Sequence, residues 1–155
     1  MVLDPVVLEP MLDKFFYISI LKHECVSEII EFSRQNEDFF QLIDLESIVS
    51  EIQVEATLER AKRRMENGSR IRGFGPLVLM YLSGQPQVGK AIRAAGISVR
   101  TNRAMLLCHD RHDMDRFLER FQGAVSEILQ SPLPHDDPAR DREVFFAMSY
   151  VDFQS

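Results

Sequence analysis

The stretch GFGPLVLMYLSGQPQVGKAI, Gly73 to Ile92, decides the fold. Gly84, four residues, Gly89 and Lys90 give the spacing of a phosphate-binding loop, GxxxxGK[ST], up to its last position. Read that way, LVLMYL is a strand and the chain a parallel-sheet nucleotide-binding domain, because such a loop joins a strand to a helix and cradles phosphate on backbone N–H groups. Periodicity leaves LVLMYL open between strand and helix, since a short all-apolar run has no diagnostic repeat. The residues after it read as a helix from Pro86 to Ala95, with Gly84 just before its N-terminus. Pro86 suits the first turn, Val88, Ala91, Ile92 and Ala95 form one buried face at i, i+3, i+4 and i+7, and Gly96 stands at the end.

Three features oppose the phosphate loop. Ala91 stands where a Ser or Thr hydroxyl ligates Mg²⁺, which a methyl group cannot do. Gln85 and Gln87 put bulk where the backbone must approach phosphate closely. Only 71 residues follow Gly84, whereas this signature usually opens its fold. A weaker reading survives. A glycine before a helix N-terminus, with Lys90 and Arg93 nearby, is an anion site, and RNA phosphate suits it as well as ATP.

Working outward, KFFYISIL (Lys14 to Leu21), FFQLID (Phe39 to Asp44) and AMLLCHD (Ala104 to Asp110) read as strands, being apolar with aromatic and β-branched residues. Between the first two, Val26, Ile29, Ile30 and Ser33 mark one face of a helix. The run from Glu46 reads as a long helix with basic last turns, stopped at Gly68. DMDRFLERF reads as a helix burying Met114, Phe117, Leu118 and Phe121. SPLPHDDPARD reads as a polar loop, and REVFFAMSYVDF as a closing helix whose end is open between helix and strand.

At 155 residues, 45% apolar and 27% charged, the chain has the size and composition of one soluble globular domain. Residues 1–13 are a Pro-containing leader without a basic secretory start, and 14–155 the domain. No run reaches the ~18 apolar residues of a membrane span. Cys25 and Cys108 lie far apart, outside any CxxC, so a reducing cytoplasm is expected. The net charge of −6 hides an asymmetry. Arg60 to Arg103 holds ten basic residues against one acid, Glu66, a net +9 that leaves −15 for the remainder. That separation points to an anionic partner, unless the fold intermixes these charges with the acidic flanks.

CHDRHDMD, Cys108 to Asp115, is open to a metal reading, but a helix capped by Asp110 or Asp113 with His109 and His112 at its rim accounts for it better. There is no GxSxG, HExxH or flanked Cys-His pair. The expectation is a binding protein with no catalytic residues, cofactor or metal.

The run from Val49 to Ile97 resembles the PRPK-binding protein family, the small subunit of the KEOPS complex, in a Y-L-S-G-x-x-Q-I-x-x-A-I-x-x-x-G-I pattern met by Tyr81, Leu82, Ser83, Gly84, Gln87, Ala91, Ile92, Gly96 and Ile97. With FFQLIDLESI before and AMLLCHD after, the likeness spans about 100 residues. The resemblance implies an α+β fold, a small, largely antiparallel β-sheet packed by several α-helices, with LVLMYL helical. It also implies a non-catalytic subunit of the complex that installs threonylcarbamoyl on tRNA adenosine. Such a subunit binds the kinase-like ATPase subunit and recruits tRNA by its single-stranded 3′ CCA end, without DNA or membrane. By position, the RNA falls to Ser83, Gly84, Gln85, Gln87 and Val88 beside Lys90 and Arg93, with Arg63, Arg64 and Arg72 of the basic segment. The chain departs from the family at Pro86, where a basic residue is common, at Val88 for Ile, and at Gln53 for a His. Two other readings stay open: a protein-only adaptor of the kinase subunit, and a degenerate nucleotide-binding loop.

Overall fold

The computed structural model describes residues 12–68, 71, 73–134 and 137–154. Most of the leader, residues 1–11, lies outside them, while Leu12 is already buried in the core. In chain order the elements are β1 (Lys14–Ile20), α1 (Val26–Gln35), β2 (Gln41–Asp44), α2 (Glu51–Glu66), α3 (Phe74–Ser83), α4 (Val88–Ala95), β3 (Arg103–Cys108), α5 (Arg111–Arg120), β4 (Val125–Ile128) and α6 (Pro138–Gln154). The strands form one sheet in the order β2-β3-β1-β4, and every neighbouring pair is antiparallel. β1-α1-β2 leaves room for β3 between its strands, and β3-α5-β4 leaves room for β1. The two split βαβ units thus interlock in the ferredoxin-like manner, with α2 to α4 inserted between them and α6 appended. This is the α+β fold with an antiparallel sheet that the sequence leads one to expect.

Strand alternation sends side chains to both faces, and both are covered. Tyr17, Ile43, Met105 and Leu107 pack with Val54, Leu77, Met148 and Val151 of α2, α3 and α6. Ile18, Leu42, Leu106 and Cys108 pack with Ile29 of α1, Phe40, and Met114 and Phe117 of α5. In this second layer the Phe32 ring lies 5.3 to 6.0 Å from those of Phe40, Phe117 and Phe121, within the range of favourable aromatic pairs. Leu118 packs against the same layer, so the expected stripe of α5 is all inward. On α1, Val26 and Ile29 are buried, but Ile30 sits 37% exposed at the rim.

LVLMYL belongs to α3, which buries every residue from Leu77 to Leu82 between α2, α4 and α6. Ten residues are too many for a typical buried strand, and Pro76 falls in the first helical turn, where a missing N–H costs nothing. The long helix expected from Glu46 starts later. Asp44 accepts the Glu46 N–H in a separate 3₁₀ turn, and Ser50 then caps α2 by accepting the Gln53 N–H at 3.3 Å. Gln53 accepts the Val49 N–H at 2.5 Å and donates to the Leu82 carbonyl at 3.3 Å, fastening the start of α2 to the end of α3. Asn67 and then Gly68 end α2, as the glycine stop predicts.

Two further elements differ from the sequence reading. β4 was not anticipated, because four residues with Ser126 and Glu127 among them give little alternation to read. α6 takes in Pro138 to Asp141 from the expected loop, since Asp137 accepts the Ala139 N–H at 3.1 Å and Pro138 opens the first turn. It continues as helix to Gln154. His135 and Asp136 of that loop lie outside the described residues.

Candidate nucleic-acid interface

Gly84 does not precede the helix it was expected to introduce. It ends α3 in the left-handed conformation, at φ 68°, and the next N–H, from Gln85, returns to the Met80 carbonyl at 3.1 Å. A Cβ on Gly84 would lie 2.8 Å from the Ala147 methyl of α6, so the turn is packed shut beneath that helix. Ser83 is tied in as well, donating to the Met80 carbonyl at 3.3 Å and accepting the Gln85 N–H at 3.2 Å. Pro86 is not in the first turn of α4 either. Gln87, extended at φ −110° and ψ 129°, is the cap residue, and α4 starts at Val88. With a helix rather than a strand before Gly84, and β3 antiparallel to both its neighbours, the GxxxxGK spacing does not form a strand-to-helix phosphate loop.

What faces outward is the first turn of α4. Gln87 is exposed and makes no capping hydrogen bond with its side chain. Lys90 and Arg93 are exposed and make no ion pair among the described residues. An Arg93 nitrogen lies 3.8 Å from where a Gly89 Cβ would be, so its guanidinium folds back along the helix towards its start. Ala91 and Ala95 are fully buried and Val88 packs beside them. Ile92 is not part of that buried face but half exposed, because the helix rests on α3 through the narrower alanine side.

The basic segment divides. Arg63 and Arg64 stand not by α4 but at the end of α2, where with Arg60, Asn67, Tyr81 and Asp152 they line a cleft of about 250 Å³. Arg60 pairs with Asp152 of α6 at 2.7 Å, and Arg63 with Glu59 at 3.2 Å. The Tyr81 ring is buried and its hydroxyl donates to Asp152. Burial and the Asp152 carboxylate push the Tyr81 hydroxyl above its usual pKa, while Arg64 beside it acts in the other direction. Ala147, over the Gly84 turn, and Asp152 lie five positions apart on α6, about 7.5 Å of helix rise. Arg100 and Arg103 fall at the turn into β3 and its first residue, and Arg72 lies outside the described residues.

The sequence missed an exposed aromatic stripe. Phe146, Tyr150 and Phe153, at i, i+4 and i+7 on the outward side of α6, are 80%, 49% and 85% exposed. Their spacing is visible in the sequence, but apolar residues lie all round this helix, so nothing marks which side is buried.

The cluster at the end of β3 is structural. Asp110 caps α5 by accepting the Asp113 N–H at 2.9 Å, and His109 Nδ1 lies 3.3 Å from the Asp113 carboxylate. His112 stands exposed in the first turn of α5. No group of three or more His, Cys, Asp or Glu among the described residues is placed to hold a metal ion. The Cys108 thiol is fully buried and pushed up to about 12 by desolvation, which makes it a poor nucleophile. No helix among the described residues is long and apolar enough to cross a membrane.

The fold is a split βαβ domain with both sheet faces closed by helices. No protein-family model matches the chain, and no curated protein matches it significantly.

Proposed function

We propose that this chain is the small, non-catalytic, cytoplasmic subunit of a KEOPS-type assembly that modifies tRNA with threonylcarbamoyl, holding the kinase-like ATPase subunit and recruiting tRNA by its 3′ CCA end. The observation that carries the RNA part is the first turn of α4. Two cations without an ion pair among the described residues, Lys90 and Arg93, stand there beside Gln87 and the open N–H groups of a helix start. Lys90 and Arg93 take backbone phosphate, which the helix dipole also favours. The Gln87 amide has a donor and an acceptor for a base edge of an unpaired nucleotide. Ser83 and Gly84 support this turn from inside, since their backbone and hydroxyl groups are already engaged. Phe74 and Tyr81, the two aromatics of the basic segment, are buried, so base recognition here leans on amides and apolar contacts rather than stacking.

The α6 stripe supports the protein partner. Three aromatics exposed on one helix face have the character of a protein-docking surface, where Phe and Tyr are enriched. It also favours the second reading, a protein-only adaptor, because Arg60 and Arg63 at the end of α2 are already paired within the chain. Filter binding of tRNA to the isolated protein separates the two. Lys90→Glu with Arg93→Glu is expected to weaken binding by tenfold or more, and rising salt to weaken the wild type. Unchanged binding by the double variant would remove the first turn of α4 from the RNA surface, and absence of tRNA binding by the wild type would leave only the adaptor.

A further inference from the structure

The inner side of α6 is spent on the core, where Met148 and Val151 are fully buried and Val144 and Phe145 pack beside them. On its outer side stand Phe146, Ser149, Tyr150 and Phe153, at i, i+3, i+4 and i+7, all of them exposed. No charge interrupts this face, because Asp152, between Tyr150 and Phe153 in sequence, turns away to Arg60 and Tyr81. Nor does it carry a needy hydroxyl in its middle. Ser149 donates to the Phe145 carbonyl of its own helix at 3.1 Å, so covering it leaves no donor unpaired.

The face reads the same from either end, with a Phe at each limit and a small and a large residue adjoining at the centre. Laid antiparallel on a copy of itself, with a twofold axis between Ser149 and Tyr150, the helix sets each Phe146 against Phe153 of the second copy. Each Tyr150 then meets the Ser149 of the other copy, which is small enough to admit it. Such reciprocity is what a twofold interface requires, residue i on j and j on i. The three rings offer about 400 Å² of apolar surface per copy, roughly half of the ~800 Å² that a standard stable interface takes from each partner. That area fits a weak, reversible dimer. A lipid surface fits less well, because interfacial helices carry Lys and Arg along a polar face, and α6 closes its other side onto α2 and α3.

We propose that this chain self-associates through α6, as a twofold dimer in which the outer faces of two α6 helices pack antiparallel about Ser149 and Tyr150. This dimer does not depend on the function proposed above, although it and a protein partner on the same face exclude one another.

Sedimentation equilibrium of the intact chain, taken to about 1 mM, is expected to show a monomer in equilibrium with a dimer of micromolar or weaker affinity. Phe146→Glu, at an exposed position, is expected to weaken the dimer at least tenfold, since it sets a carboxylate against an aromatic ring. Adding Phe153→Lys to it puts Glu opposite Lys in both halves of the interface, and is expected to bind itself about fivefold more tightly than Phe146→Glu alone. A wild type that stays monomeric at about 1 mM overturns the proposal. So does a dimer that Phe146→Glu leaves unchanged, or a double variant no tighter than the single one. The wild type also supplies a check free of substitutions: the Tyr150 ring resonances must shift between dilute and concentrated samples, and resonances that stay put overturn the dimer.

Discussion

Helix α6 meets the body of the protein twice, and the two meetings differ in kind. Near its start, Asp141 is 6% exposed and accepts from the buried Ser50 hydroxyl at 2.6 Å, and Ala147 then closes over Gly84. Near its end, Asp152 is about half exposed and reaches across an open cleft to Arg60 and Tyr81. Both contacts use an aspartate. The first is a structural joint, because groups removed from water must stay paired. The second is a partly exposed contact, which solvent screens. α6 is thus held by a buried contact at one end and a solvent-facing one at the other.

Stability should rank accordingly in urea unfolding monitored by circular dichroism. Gly84→Ala is expected to cost the most, about 3 kcal/mol, as it adds a Cβ both to a left-handed residue and into the Ala147 methyl. A cost near zero would mean that α6 does not close this turn. Asp141→Ala comes next at about 2 kcal/mol, for it leaves the Ser50 hydroxyl buried without its acceptor. Asp152→Asn should lose less than about 1 kcal/mol, since its pair with Arg60 is screened by solvent. Should Asp152→Asn cost as much as Asp141→Ala, the contrast between the two ends would be gone.

The contrast was only half legible in the sequence. Strands β1 to β3 and the stripe of α5 could be read because their apolar residues are long or periodic enough to have one solution. α3 could not be placed by its own pattern, and the family likeness rather than periodicity made it a helix. The basic segment was visible as charge, but not its division between the cleft at the end of α2 and the first turn of α4. Arg60 finds Asp152 across 92 residues, through a helix whose orientation no local pattern sets. For the same reason nothing in the sequence marked Phe146, Tyr150 and Phe153 as the side of that helix that stands in solvent. Gly84 was read as the approach to α4 and instead ends α3, because a glycine marks the end of one helix as readily as the approach to the next.

The first turn of α4 carries the central claim, and the most direct test is filter binding of the isolated protein to one tRNA, intact and with its 3′ CCA removed. The account predicts that trimming weakens binding at least tenfold, and that Lys90→Glu with Arg93→Glu weakens the intact tRNA towards the trimmed level. Equal affinity for the intact and the trimmed tRNA would contradict it.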